Sequence, residues 1–288
     1  MDSFIRKAKD ILGSRKTLPV LPASAERIIA STTDEFTDLT TLSHCIGEDP
    51  VISARIVGLS NSAFYAQQRP ITSVEEAIIR VLGLDLTRGI AIGMAVSDVL
   101  GSSLATGFDG ERFWRSSLSK SALLSSIAKN SATLSDQVPL CSLTGLLANI
   151  GLLAAVAIVP DETQVAIETS DECLRAEMRL SLGCDYTHLA AALAELWSLP
   201  GEVQATFLAR CSDDWVQEEC TPLQACLFLA DTIKGNDLEA IVALPNTARI
   251  VEMLGVSNAL DSVILSQEKA EGGIAELARV LTTSGKSS

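Results

Sequence analysis

Residues 48–93 read EDPVISARIVGLSNSAFYAQQRPITSVEEAIIRVLGLDLTRGIAIG, and this stretch decides the predicted fold. Asp49 followed by Pro50 predicts a helix start, because the Asp side chain can cap the first turn and a proline there loses no hydrogen bond. Apolar residues then recur at helical spacing. Arg69 followed by Pro70 predicts an interruption, since the residue before a proline disfavours the helical conformation.

A second and a third helix are predicted within the same stretch. Ser73 with Glu76 three residues later predicts a capping box, and Gly83 predicts the end of that helix. Asp85 can cap the next helix, in which Gly93 is the second of two glycines that permit close contact with a neighbouring helix. The local signals therefore indicate a succession of short helices.

The rest of the chain also favours helices. An amphipathic helix should span Met1 to Gly13, and two prolines should keep Leu18–Pro22 extended. The apolar run Leu143–Val159 is shorter than the ~20 residues that cross a bilayer, so we expect a buried core helix. No strand alternation longer than a few residues occurs. We predict an all-α, multi-helix bundle with an N-terminal helical subdomain.

The predicted organisation is one main domain with short flanking segments. A Gly- and Ser-rich linker is expected at Gly101–Gly110. The predicted boundaries are an N-terminal helix at 1–17, a main domain at 18–235 that divides into 18–100 and 111–235, C-terminal helices at 236–282, and a disordered tail at 283–288.

The composition indicates an acidic globular protein. Hydrophobic residues make up 47% of the 288 residues, and the formal net charge is -14. Such a charge repels nucleic acid phosphates and anionic membranes, so neither is an expected partner. Seven scattered cysteines without a Cys-x-x-Cys pair predict buried, reduced thiols. The N-terminus lacks the apolar core of a secretory signal, and we expect a cytoplasmic location.

Several spaced motifs of this chain resemble the HDOD domain, the "HD-related output domain" of bacteria. They are the run DP…LSNSAFY…RPITSVEEAIIRVLGLD and the preceding segment LPVLPASAERII, and the similarity extends to about Asp231. The resemblance implies an HD-like helical fold, related to the metal-dependent HD phosphohydrolases, and a place in signal transduction.

The resemblance also implies the remains of a metal site. In HD enzymes, imidazoles and carboxylates hold a metal that activates water. Here Ser116 stands where the pattern has its first His, Ala148-Asn149 replace the His-Asp pair, and Asp231 matches the distal Asp. Three of the four ligand positions have lost their chemistry, so we expect no metal, no cofactor and no catalytic residue. The relic pocket, as we name this set, comprises Ser116, Ala148, Asn149, His188 and Asp231.

Both histidines have structural explanations. His188 precedes the helix that ends in Trp-x-Leu-Pro and is expected to be a semi-buried side chain rather than a ligand. His44 lies among apolar residues of another helix, where a structural or surface role is expected.

A candidate interaction surface comprises Asn61, Phe64, Tyr65 and Arg69. In one interpretation, Asn61 ties off backbone groups at a helix end while the two aromatic rings fill the core. In the other interpretation, the hydrogen-bonding tips on an apolar patch contact a partner or a ligand.

The sequence thus predicts a non-catalytic bacterial signalling module that binds a protein partner, with a small ligand as a further candidate. The alternative is a divergent metal-dependent phosphohydrolase of the HD superfamily. A nucleic-acid-binding regulator is disfavoured by the negative charge. The partner, the pathway and the oligomeric state stay open.

Overall fold

The computed structural model describes residues 2–13, 21–31, 39–100, 108–158, 171–213, 215–216, 219–233, 241 and 246–284. Within these ranges every regular element is a helix, which confirms the predicted all-α fold. In chain order the helices are α1 (Asp2–Gly13), α2 (Ala23–Ala30), α3 (Leu39–Gly47), α4 (Pro50–Ser60), α5 (Val74–Ala77, continued by a π-helical turn Ile78–Leu82), α6 (Leu84–Leu100), α7 (Gly110–Asn130), α8 (Val138–Leu147), α9 (Ile150–Ile158), α10 (Asp171–Leu182), α11 (Tyr186–Leu196), α12 (Gly201–Ala209), α13 (Pro222–Ile233), α14 (Thr247–Leu254) and α15 (Leu260–Ser284).

Several predicted boundaries fall outside the described residues. These are residues 14–20 around the 17/18 boundary and in the extended segment, residues 101–107 of the linker, residues 234–240 around the 235/236 boundary and residues 285–288 of the tail. The predicted disorder from Thr283 is wrong for its first two residues, because α15 continues to Ser284. The buried Leu281 anchors this last turn. The domain boundaries themselves stay a prediction.

The predicted helix starts are largely confirmed. The Asp49 carboxylate accepts hydrogen bonds from the backbone N–H groups of Val51 and Ile52 at 3.0 and 3.1 Å, which caps α4. The Ser73 hydroxyl accepts from the Glu76 N–H at 3.1 Å. These bonds satisfy N–H groups that have no partner within the helix.

Two details of these starts differ from the prediction. The Glu76 carboxylate accepts from the Thr72 N–H at 2.8 Å, one residue before the predicted capping-box partner. That backbone bond and a second one from the Thr72 hydroxyl lower the pKa of Glu76. Asp85 does not cap α6, which begins at Leu84, and instead lies in its first turn, 3.5 Å from Arg88.

Close helix packing positions the core around α6 and α7. A Cβ atom at Gly93 would lie 3.2 Å from Leu281 of α15 and 3.4 Å from Trp114 of α7, so the close contact predicted for Gly89 and Gly93 is confirmed at Gly93. Trp114 and Trp197 are 2% and 6% exposed. Helix α7 packs along α15, α8 and α13, while α11 packs on α9, α12 and α1.

The long apolar segment is not one helix. We predicted a single core helix over Leu143–Val159, but α8 ends at Leu147 and α9 begins at Ile150. The Leu152 N–H donates to the Asn149 carbonyl, three residues back, at 3.0 Å. By length and composition Val138–Ile158 could cross a membrane, yet 83% of its most apolar window is buried inside the protein.

Helix α9 also approaches α11 more closely than a side chain allows. A Cβ atom at Gly151 would overlap the Tyr186 carbonyl and lie 2.5 Å from the Ala190 nitrogen. Only glycine fits this contact between two backbones.

All seven cysteines are free thiols. Four are buried, but Cys173 is exposed, so the predicted burial is wrong for this residue. Burial raises the pKa of Cys184 to about 12 and that of Cys211 to about 11. At neutral pH these two thiols are therefore protonated and poorly nucleophilic.

Candidate functional site

Helices α7 and α13, with the segments that follow α8 and α12, bring part of the relic pocket together around Asp231 of α13. The Asp231 carboxylate pairs with Lys120 Nζ of α7 at 2.5 Å and with Arg210 Nη2, just after α12, at 3.1 Å. The Asn149 side-chain oxygen, between α8 and α9, lies 3.5 Å from Lys120 Nζ and 3.2 Å from Arg210 Nη1. We name Lys120, Asn149, Arg210 and Asp231 the Asp231 cluster.

Two protein cations thus bridge the side chains of Asn149 and Asp231 in the relic pocket. The Lys120 side chain is 5% exposed and that of Arg210 is 7% exposed. Arg210 Nη1 also donates to the Ala148 carbonyl at 2.6 Å, and its guanidinium lies 5.7 Å from the centre of the Tyr186 ring. The break between α8 and α9 therefore supplies a carbonyl that holds Arg210 in place.

The residues of this cluster do not fit the metal centre of an HD enzyme. Ala148 carries no metal-binding group, Ser116 offers a neutral hydroxyl in place of an imidazole, and Asn149 offers a neutral oxygen that already faces Lys120 and Arg210. Among the residues that the structure describes, no group of three or more His, Cys, Asp or Glu could hold a metal ion. What the cluster can do chemically is orient two cations beside a carboxylate.

His188 belongs to a different cluster. Its Nδ1 lies 2.9 Å from the Asp185 carboxylate, and its ring packs 5.1 Å from that of Phe4 in α1. The side chain is 2% exposed, so it is fully rather than half buried. Asp185 also accepts from the Thr187 N–H at 2.9 Å and thereby caps α11. His188 thus fixes the start of a helix.

Asp185 is itself held by two arginines. Arg175 Nε and Arg179 Nε lie 3.1 and 2.8 Å from its carboxylate, which has no exposed surface. Burial alone would raise the pKa of Asp185, but hydrogen bonds from His188 and Thr187 and the charge of Arg175 outweigh it and hold that pKa well below its usual range. We name Arg175, Arg179, Asp185, His188 and Asp213 the Asp185 cluster.

Asn61 in the candidate interaction surface has a structural task. Its amide donates to the carbonyls of Val57 and Ile71 at 3.0 and 2.8 Å, and its oxygen accepts from the Ile71 N–H at 2.7 Å. These bonds tie the end of α4 to the segment that leads into α5. Asn61 therefore has little left to offer a partner.

The two aromatic residues of that surface differ, because Tyr65 is partly buried and packs against the core whereas Phe64 does not fill it. Phe64 is 51% exposed and packs edge-to-face on Tyr65, with ring centres 4.9 Å apart. Phe64 also rests on Gly272 and Gly273 of α15. Burial, with a smaller effect of the charge of Glu276, raises the pKa of Tyr65.

Arg69, the fourth residue of that surface, is exposed, and its carbonyl accepts from Arg80 at 3.2 Å. The role of this surface in binding stays a prediction.

Sequence reasoning missed Lys120, Arg210 and Asp185 as cluster members. A signal existed for Lys120, since it is a lone cation in the serine-rich stretch SSLSKSALLSS of α7. Arg210 follows α12, but its partners are distant in the chain. Ala148 lies 62 residues away, Asn149 61 residues away and Asp231 21 residues away. A pairing of that kind leaves no local pattern.

Comparisons with known proteins agree with this fold. The family model of the HDOD domain matches residues 18–210. Among curated proteins, no sequence matches this chain. A solved HDOD domain protein of unknown function from Geobacter sulfurreducens is 22% identical, covers 97% of each chain and has a TM-score of 0.74.

Two further solved structures resemble the chain. A candidate signal transduction protein from Marinobacter aquaeolei VT8 is 23% identical, with a TM-score of 0.78 over 98% of this chain; the match spans 65% of that protein's length. A candidate phosphohydrolase from Shewanella amazonensis SB2B is 22% identical, with a TM-score of 0.67 over 97% of this chain and 98% of that one. At these identities the likeness concerns the fold alone.

Proposed function

The chain belongs to the HDOD domain family, and from this premise we propose that it is a non-catalytic regulatory module of bacterial signalling. The observation that carries the proposal is the Asp231 cluster, in which Lys120 and Arg210 bridge Asn149 and Asp231. Two protein cations lie beside the oxygens that a metal would need as ligands.

Electrostatics explains why this arrangement opposes metal-dependent hydrolysis. Two unit positive charges about 4 Å apart repel each other by roughly 4 kcal/mol at the effective dielectric constant of a protein surface, and a divalent ion roughly doubles that figure. A metal beside Asp231 would meet two such cations, both nearly buried. It would also find no histidine at Ser116 or Ala148 to offset the repulsion.

The proposed action is binding to a protein partner in the cytoplasm. Phe64 supports this because an aromatic ring that is 51% exposed beside Tyr65 provides apolar area with a hydrogen-bonding tip. The net charge of -14 supports a protein rather than a nucleic acid partner. A pull-down from native lysate tests this surface, with the wild-type chain and the Phe64→Ser variant as matched baits. A protein that both baits hold equally would contradict binding through Phe64.

The alternative is a divergent phosphohydrolase, which is favoured by the retained Asp231 with its partly exposed side chain. The deciding experiment measures turnover of cyclic dinucleotides, guanosine polyphosphates and simple phosphate esters with excess Mn²⁺ or Mg²⁺. We expect no metal-dependent turnover by the wild type. The matched variants are Asp231→Ala and Asp213→Ala, which removes an exposed carboxylate outside the Asp231 cluster. Metal-dependent turnover that is lost in Asp231→Ala and kept in Asp213→Ala would establish the hydrolase.

A further inference from the structure

A cavity of about 430 Å³ adjoins the Asp231 cluster. It lies between α7, α13 and α15, and Lys120 belongs both to its lining and to the cluster. Leu123, Ile233 and Ile264 give it apolar walls. Its volume falls in the range of pockets that hold small organic molecules. We name it the Arg112 cavity, after the arginine at its rim.

The charge of this cavity is opposite to that of the whole protein. Arg112, Arg115 and Lys120 line it, and Glu271 is the one carboxylate among its described lining residues. The chain as a whole carries a net charge of -14. A local excess of cations in an acidic protein attracts anions to this place rather than to the rest of the surface.

The three cations differ in how far they are already neutralised. Arg115 pairs with Glu271 through Nη2 at 2.8 Å, and Lys120 pairs with Asp231 at 2.5 Å. Arg112 is exposed, and in the described part of the chain no carboxylate lies within ion-pair distance of its guanidinium. Its donors are therefore available to a bound anion.

The cavity lining also contains a hydrogen-bond acceptor without a partner. The side-chain oxygen of Gln267 in the cavity lining is buried and has no hydrogen-bond partner among the described residues. Buried polar atoms without a partner are rare in folded proteins and call for an explanation. A donor group on a molecule in the cavity would satisfy it.

The wall that carries Gln267 and Glu271 belongs to α15, at residues 260–284, beyond the family match at 18–210. The HDOD match therefore covers the α7 wall of this cavity but not the walls from α13 and α15.

We propose that the Arg112 cavity binds a small organic anion, a carboxylate or a phosphate with an apolar body. Its charge rests on Arg112 and Arg115, and its body packs against Leu123, Ile233 and Ile264. This inference rests on the proposed regulatory function, in which such an anion is the signal that the module receives.

Calorimetric titration with three matched probes tests the proposal. The probes are 1-naphthyl phosphate, 1-naphthoate and the neutral 1-naphthol, which share one apolar body. We expect saturable one-to-one binding of at least one anion and about tenfold weaker binding of the neutral probe, since charge-assisted hydrogen bonds are lost. Comparison of the two anions distinguishes a phosphate site from a carboxylate site.

Three variants locate the binding. Arg112→Gln should weaken anion binding about fivefold, whereas Glu271→Gln should tighten it about threefold because it releases Arg115. Arg6→Gln removes an exposed arginine of α1, outside the cavity lining, and should change nothing. Opposite effects of two substitutions in the same cavity lining cannot arise from misfolding. Absence of saturable binding by both anions, or wild-type affinity in Arg112→Gln, overturns the proposal.

A release assay with the same phosphate probe distinguishes failure of the proposed anion site from failure of the proposed non-catalytic function. Release of 1-naphthol from 1-naphthyl phosphate is followed with added Mn²⁺. Metal-dependent release contradicts the proposed non-catalytic function. Absence of both binding and release contradicts only the anion site and leaves the non-catalytic function standing.

Discussion

The Asp185 and Asp231 clusters use the same components in opposite arrangements. In each, a central carboxylate faces two cations, and the Asp185 cluster adds His188 and the exposed Asp213. The Asp185 carboxylate has no exposed surface, while the side chains of Arg175 and Arg179 are 15% and 27% exposed. In the Asp231 cluster the cations are nearly buried and the carboxylate is 28% exposed. The anion is innermost in one cluster, and the cations are innermost in the other.

This difference distinguishes a cluster that stabilises the fold from a cluster that borders a cavity. The Asp185 carboxylate accepts hydrogen bonds from the first turn of α11 and from two arginines. All of these partners belong to the protein itself. Asp231 holds Lys120 at the wall of the Arg112 cavity, where a bound molecule can reach the side chain. The same ion-pair chemistry therefore fixes the fold in one place and borders a cavity in the other.

The largest expected effect comes from Asp185→Ala. This change removes a buried partner of two arginines and a helix cap, so the free energy of unfolding should fall by about 4 kcal/mol. Urea unfolding measures it. Asp213→Ala is the control, because Asp213 is 71% exposed and bonds the same arginines, and it should cost less than about 1 kcal/mol. Equal losses in the two variants would contradict the architectural role of Asp185.

A smaller effect is expected from Asp231→Ala. Lys120 and Arg210 keep the Asn149 oxygen, and Arg210 keeps the Ala148 carbonyl, so we expect a loss of about 2 kcal/mol in the same urea assay. Adding Lys120→Met to Asp231→Ala should recover part of that loss of stability. The second change removes the lysine cation that Asp231→Ala leaves without its carboxylate partner. A double variant less stable than Asp231→Ala alone would show that the cations are not the source of the cost.

The smallest effect is a pH dependence that belongs to the Asp185 cluster. The pKa of Asp185 is lower in the folded protein than the ~3.9 of an unfolded chain, so the folded state binds fewer protons. Its stabilisation is present above that unfolded value and is lost as the pH falls through the lower folded value.

The measurement compares wild type with Asp185→Asn. Their difference in unfolding free energy should shrink by about 1 kcal/mol between about pH 5 and about pH 3. Asp10→Asn, an exposed substitution in α1, controls for total charge. A difference that stays constant over this interval would mean that Asp185 is not the titrating group.

The sequence predicted the helices where signals are local. The capping and terminating residues affect only the backbone a few residues from them. The structure places helix ends at all three such positions, Asp49, Ser73 and Gly83. The break at Ala148-Asn149 escaped prediction because every neighbour is apolar or small. At the break the Ala148 carbonyl accepts a hydrogen bond from Arg210, which lies 62 residues away in the chain and so leaves no local signal.

The relic pocket was predicted only in part for the same reason. The family resemblance pointed to Asn149 and Asp231, which the structure joins through Lys120 and Arg210, but it grouped His188 with them. His188 instead pairs with Asp185, three residues earlier in the chain. A motif locates positions in a fold, whereas the pairing of charges depends on which side chains the packed helices bring within a few ångströms.

The close approach at Gly151 has a consequence for motion. Because α9 and α11 meet backbone to backbone there, no side chain can rotate to let one helix loosen while the other stays. The two helices separate together or not at all. In hydrogen–deuterium exchange we therefore expect the amides of α9 and α11 to form one cooperative group, protected until a large opening event that also separates them from α1, which packs on both.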